Sequence, residues 1–347
     1  MRWSRVLVLA ALSVCFLPLL SAAAEPELVA VAKIWDQGKH NAFTDLIRWR
    51  DKWYCTFREA DAHVGGDGKL RVLESGDGAK WESVALVAEA GIDLRDPKLS
   101  ITPDDRLMIV AGGSVYQGTT LLGLQPRVTF SKDARDWTPP VRVLAEGDWL
   151  WRVTWHEGKA YGVSYNAAAR QTKEAKEAAK GNDPVSTDPA DWKLKLVVTG
   201  DGVKYETITH LGVPGQPNET TLRFLAGGEV MAMVRREGGN TLGWLGTSKA
   251  PYKEWTWHET KHRFGGPNFL TLPDGSLWGS SRSYPGGAKT VVARMGRDSY
   301  EPALTLPSGG DTSYAGLAWH DGLLWVSYYA SHEKKSAIYL AKVRLPK

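Results

Sequence analysis

Residues 269–282, Phe269-Leu270-Thr271-Leu272-Pro273-Asp274-Gly275-Ser276-Leu277-Trp278-Gly279-Ser280-Ser281-Arg282, read as one unit: an apolar run, a tight polar turn, a second apolar run and a closing arginine. Asp-Gly between strand-like runs marks a hairpin, because glycine accepts the positive φ that such turns require. Five other segments follow the same plan. They are 46–58 around Asp51-Lys52, 99–112 around Asp104-Asp105, 153–165 around Glu157-Gly158, 221–235 around Gly227-Gly228, and 317–329 around Asp321-Gly322. Successive turns lie 53, 53, 70, 47 and 47 residues apart, a period typical of propeller blades or solenoid units.

A second repeat interleaves with the first. Ser75-Gly76-Asp77-Gly78-Ala79-Lys80-Trp81, Ser131-Lys132-Asp133-Ala134-Arg135-Asp136-Trp137 and Thr199-Gly200-Asp201-Gly202-Val203-Lys204-Tyr205 share a hydroxyl, an Asp two residues on, and an aromatic four residues after that. The hydroxyl and carboxylate can bond backbone N–H groups inside the turn, while the aromatic packs between sheets. This pattern holds a fold together and carries no catalytic role. The longer gap before the third copy matches residues 167–191, rich in Ala, Lys and Glu, which read as a surface insertion with a short helix.

Composition bounds the rest. A chain of 347 residues with 43% hydrophobic and 24% charged residues, 36 Gly, 16 Trp and 2 Cys is not disordered, collagen-like or a disulfide scaffold. A net charge of +4 is near balance, so neither nucleic acid nor a membrane surface is called for as a partner. Arg2 and Arg5, the apolar run 6–20 and Ser21-Ala22-Ala23-Ala24 read as a cleaved secretory signal, residues 1–24, which predicts a secreted or periplasmic protein. Cleavage leaves Cys55 as the single thiol, in the aromatic run Trp53-Tyr54-Cys55-Thr56-Phe57, where a buried inert role is expected. Six units over residues 25–347 are ~54 residues each, the size of a four-stranded blade. The expected fold is all-β, a single six-bladed β-propeller whose two ends, 28–34 and 338–345, share a blade. Ring closure also hides the sheet edges.

In each hairpin the first strand starts, and the second ends, at the edge opposite the turn. Six inner hairpins would therefore gather those residues at one mouth. Entering residues include Asp45, Arg95-Asp96, Arg152, Glu219 and Tyr314; leaving residues include Arg58, Arg235 and Arg282. Converging guanidinium groups suit capture of a carboxylate, sulfate or phosphate.

This constellation resembles the exo-sialidase (neuraminidase) superfamily, retaining glycoside hydrolases on six-bladed propellers. Asn218-Glu219 followed by Arg235 is similar to the family's catalytic Glu and carboxylate-binding Arg, and Arg282 to its third arginine. Tyr314, in Asp311-Thr312-Ser313-Tyr314-Ala315-Gly316, is similar to its tyrosine nucleophile, and the hydroxyl-Asp-aromatic turns resemble its Asp-boxes. The chain departs from the family at Asn41-Ala42-Phe43-Thr44-Asp45, where Phe/Tyr-Arg-Ile-Pro would place the first arginine. Arg58 resembles an additional family arginine, and Arg95 or Arg152 are the candidates to replace the missing one. For the acid/base, Asp61 lies nearest by position, with His63 and Asp67 on the same loop and Asp45 as further alternatives. The resemblance implies a secreted exo-glycoside hydrolase that removes a terminal anionic sugar, of sialic or uronic acid type, from a glycan, with a Tyr nucleophile and no metal or other cofactor. Two other readings fit the same mouth: a non-catalytic glycan- or protein-binding propeller, and a polysaccharide lyase acting on uronates. His258-Glu259-Thr260-Lys261-His262 matches the zinc-protease pattern HExxH, but Trp255-Thr256-Trp257 before it and Gly265-Gly266-Pro267 after it leave no room for the required helix.

Overall fold

The computed structural model describes residues 24–166 and 193–346. The expected leader up to residue 23 and the expected insertion at 167–191 lie outside them. The described residues form twenty-four strands in six four-stranded antiparallel sheets, with no helix. The first strands of blades one to six are His40–Trp49, Asp93–Ile101, Asp148–His156, Pro217–Phe224, Asn268–Thr271 and Thr312–His320. Each touches the first strand of the next blade, and the sixth touches the first, so these six are the inner strands of a closed ring.

Each sequence hairpin is the inner pair of one blade. Its turn needs a left-handed residue, and every copy supplies one: Asp51, Asp105, Glu157, Gly228, Gly275 and Asp321 all have positive φ. Blade six is completed by the other end of the chain. Glu27–Trp35 pairs antiparallel with Lys335–Arg344, from Glu27 opposite Arg344 to Trp35 opposite Ile338. That pairing fastens the ring, as the sequence of the two ends suggests.

The interleaved turns bond as their composition requires. Ser75 Oγ accepts the Gly78 N–H at 2.8 Å, and Asp77 Oδ1 accepts those of Ala79 and Lys80 at 2.8 and 2.9 Å. These backbone hydrogen bonds lower the Asp77 pKa to about 2. Asp133 and Asp201 repeat the arrangement. Between blades one and six, Trp53 and Trp325 stack with ring centroids 4.2 Å apart.

The ring is tightest where blade six meets blade one. A Cβ at Gly316 would sit 2.1 Å from the Leu46 nitrogen and 2.6 Å from the Asp45 carbonyl carbon. Backbone cannot yield there as a side chain can. Gly316→Ala is expected to cost about 1–3 kcal/mol of stability, read as a lower urea midpoint. A midpoint equal to wild type would show that the two inner strands do not need this approach.

Five inner strands break register near their starts. The residues left out of pairing are Phe43-Thr44, Asp96-Pro97, Trp151-Arg152, Asn218-Glu219 and Tyr314-Ala315. Blade five enters through Gly266-Pro267 instead. Phe43, Asp96, Gly266 and Tyr314 have φ between 51° and 65°. Such bulges re-aim side chains that a regular strand would point elsewhere.

Candidate active site

Two of these bulges meet. The Tyr314 hydroxyl donates to Glu219 Oε1 at 2.6 Å. Arg235 Nη1 donates to the same oxygen at 2.8 Å and to the Tyr314 hydroxyl at 3.0 Å. Glu219 Oε2 accepts the Gly266 backbone N–H at 2.8 Å. A Cβ at Gly266 would lie 2.6 Å from the Tyr314 ring, so this contact needs glycine as well as its positive φ. Arg282 holds the far side of the ring, its guanidinium carbon 5.5 Å from the Tyr314 centroid. Trp151 meets the ring edge-on at 5.4 Å.

Electrostatics separate the roles. Burial opposes the Glu219 charge, but Arg235 and the hydrogen bonds from Tyr314 and Gly266 outweigh it and hold its pKa below the usual carboxylate value. Burial and the Glu219 charge push the Tyr314 hydroxyl well above 10, with Arg235 and Arg282 opposing in part. The pair is therefore a carboxylate and a neutral phenol joined by a short hydrogen bond. Both line a cavity of about 250 Å³, with Arg95, Asp96, Trp149 and Arg235.

Asp96, which the sequence places at the mouth without a role, is a wall residue of this cavity. Burial raises its pKa to about 6, against the opposing pull of Arg95 and Lys98. Its Oδ1 is buried without a hydrogen-bond partner. Glu237, which the sequence pattern does not single out, takes Arg235 Nη2 and, at 2.7 Å, Arg263 Nη2.

The other sequence candidates fall in different places. Asp61 is 80% exposed, 3.2 Å from Lys39, and Asp67 accepts the Gly91 N–H; both line a separate surface hollow. His63 sits at the rim, its Nδ1 3.0 Å from Asp311 Oδ2. Asp45 and Arg152 form a buried two-pronged pair at 2.8 and 3.1 Å. Arg58 is fully buried and grips Asp93 at 2.6 and 3.0 Å. Arg95 shares Asp93 at 3.0 Å while still lining the cavity. Arg282 donates to Asp311 at 2.9 Å and to the Tyr329 hydroxyl at 3.0 Å.

Lesser signals resolve simply. His258 and Glu259 lie in the strand Thr256–Glu259, and Glu259 is held by Arg236, Asn240 and Trp244. Cys55 is buried, and burial raises its pKa far above the thiol range.

No protein-family model matches the sequence, and no curated protein does. Solved structures do. A protein of unknown function from Dyadobacter fermentans DSM 18053 superimposes with a TM-score of 0.76 at 17% identity, over 92% of this chain and 99% of that one. The GH93 α-L-arabinofuranosidase of Fusarium graminearum, in complex with arabinobiose, gives 0.67 at 15%, over 91% and 98%. Trypanosoma rangeli sialidase, in complex with the inhibitor DANA, gives 0.65 at 11%, over 92% and 60%. The chain has the sialidase-like six-bladed propeller fold. At these identities the likeness establishes that fold alone.

Proposed function

We propose that this propeller is a retaining glycoside hydrolase in which Tyr314 is the nucleophile and Glu219 its base. The observation that carries the reading is the Tyr314 hydroxyl, bonded to both Glu219 and Arg235 at the wall of the cavity. Glu219 is poorly placed to attack for itself, since Oε1 accepts Tyr314 and Arg235 and Oε2 accepts Gly266. The phenol is the group offered to substrate. As its oxygen bonds to the anomeric carbon, its proton passes to Glu219, and Arg235 stabilises the charge that develops on the phenolic oxygen. The glycosidic C–O bond breaks as the leaving oxygen takes a proton from a carboxylic acid. Water then attacks the glycosyl-tyrosine, returning a proton to that carboxylate, while Glu219 reprotonates the departing phenolate.

Asp96 is the acid that fits. It lines the cavity and is the carboxyl there held protonated to about pH 6. Asp61, exposed beside Lys39 in another hollow, does not. The kcat/KM profile should be a bell, rising below pH 4.5 as Glu219 ionises and falling through about pH 6 as Asp96 loses its proton. Asp96→Asn should remove the descending limb, and added azide should restore turnover of substrates with good leaving groups. A descending limb that persists in Asp96→Asn would move the acid elsewhere.

The charge of the wall bears on the sugar. Two guanidinium groups, Arg95 and Arg235, face three carboxyls, Asp96, Glu219 and Glu237. Beyond the wall, Arg58, Arg152 and Arg282 each face a carboxylate as well. The anionic sugar expected from the arginines requires spare positive charge, which these pairings remove. A neutral terminal sugar suits the cavity better, and two of the structural neighbours are by name an arabinofuranosidase and an arabinanase. Purified protein should turn over neutral aryl furanosides or pyranosides in preference to sialosides and uronosides, releasing the sugar with retained configuration by NMR. Inversion at the anomeric carbon would remove tyrosine as nucleophile; preference for the anionic substrates would reverse the assignment of the sugar. The leader-like start of the sequence would place this activity outside the cytoplasm.

A further inference from the structure

A second group of side chains gathers at the same rim, and the proposed glycosidase steps do not use it. His40 begins the inner strand of blade one, His63 lies on the loop after that blade's second strand, and Asp311 precedes the inner strand of blade six. One ring nitrogen from each histidine and one carboxylate oxygen of Asp311 lie within 4.8 Å of one another. Two polar atoms of this group, His40 Nδ1 and Asp311 Oδ2, are buried without a hydrogen-bond partner. Asp311 Oδ2 has His63 Nδ1 as a charge contact at 3.0 Å. A buried polar atom without a partner costs about 1–3 kcal/mol. His40 Nδ1 has no such contact, and an ion shared by the three side chains would satisfy it.

We propose that His40, His63 and Asp311 bind a divalent transition-metal ion of the zinc type, leaving at least one coordination position open. Two imidazoles and a carboxylate form a donor set suited to such ions, and three protein ligands leave room for water or a substrate oxygen. The surroundings already orient the carboxylate. Asp311 Oδ1 accepts Arg282 at 2.9 Å and the Tyr329 hydroxyl at 2.7 Å, which turns Oδ2 toward the histidines. The side chains of His63 and Asp311 are 48% and 34% exposed, so an ion can enter and its open position can meet solvent. Coordinated atoms on a zinc ion sit roughly 3.3 Å apart, and His63 Nδ1 and Asp311 Oδ2 are already 3.0 Å apart. Among the neighbouring cations, Arg58 and Arg95 share Asp93, and Arg282 holds the Asp311 oxygen that the ion does not use. The Phe43 ring lies between the ion and the nucleophile, 5.5 Å from the His63 ring and 5.0 Å from that of Tyr314. The ion's place is thus to hold an oxygen of the bound sugar or water at the rim, apart from bond cleavage.

The test uses the whole purified chain stripped with a chelator and titrated with Zn²⁺ by calorimetry, and with Co²⁺ by visible absorption. Wild type is expected to take one equivalent. His63→Ala and His40→Ala should each bind at least about tenfold more weakly, and His63, half exposed on a loop, can be replaced without disturbing a blade. The His258→Ala/His262→Ala protein, altered in the HExxH stretch, should bind as wild type does. Less than one equivalent in wild type, unchanged affinity in His63→Ala and His40→Ala, or loss of binding in the His258/His262 variant would each overturn the site. The readout is metal binding alone, so it stands or fails separately from the glycosidase reading.

Discussion

Tyr314→Phe is expected to lower kcat by at least about a thousandfold, the scale seen when a nucleophile or its proton acceptor is removed, while product binding changes little. The asymmetry follows from what the hydroxyl touches. It donates to Glu219 and accepts from Arg235, and the ring itself packs against Phe43, Trp151 and Tyr329 at centroid distances of 5.0, 5.4 and 5.9 Å. Phenylalanine keeps those ring contacts. Glu219 retains Arg235 and Gly266 as partners, so no buried charge is stranded and the fold should hold. Binding measured by calorimetry and turnover measured on the best aryl glycoside should therefore separate. Equal losses in both would make Tyr314 a binding residue, and full turnover in Tyr314→Phe would end the nucleophile assignment.

The fold was legible because each blade repeats local chemistry. Asp-Gly turns, hydroxyl-Asp-aromatic turns and alternating apolar strands state their structure within a few residues, and six copies leave little freedom in how they assemble. The grouping of Tyr314, Glu219, Arg235 and Arg282 was legible for a related reason: strand starts and ends at fixed offsets from the turns must gather at one end of a ring. What could not be read was which charges pair once gathered. Arg58 and Arg235 occupy the same place after their turns, yet one is enclosed by Asp93 and the other faces the cavity. Asp93 belongs to the next blade, thirty-five residues away, and nothing near Arg58 announces it. The bulges were equally hidden. Asp96 adopts a positive φ that its sequence context does not demand, and only the bulge turns it toward the opening. Asp61 lies nearest by position along its loop, and loop position says little about direction.

The Arg58–Asp93 pair supplies the second large effect, on stability rather than chemistry. Both side chains are fully buried, joined at 2.6 and 3.0 Å, and Arg95 adds a third hydrogen bond to Asp93. Asp93→Asn keeps the shape but removes the charge that two buried cations share. Breaking a buried pair from one side costs about 3–5 kcal/mol, because the remaining charge is left uncompensated. The variant should unfold at markedly lower urea concentration, with the slope of the transition unchanged. Replacing both partners, as in Arg58→Met/Asp93→Leu, should recover part of the loss, since an apolar pair leaves only Arg95 to find another partner. If Arg58 instead served the substrate, as its place after the first turn suggests, Asp93→Asn would leave the urea midpoint where it was and raise KM. A destabilised variant with normal KM below its transition would instead fix Arg58 as a strut that joins blade one to blade two beneath the mouth.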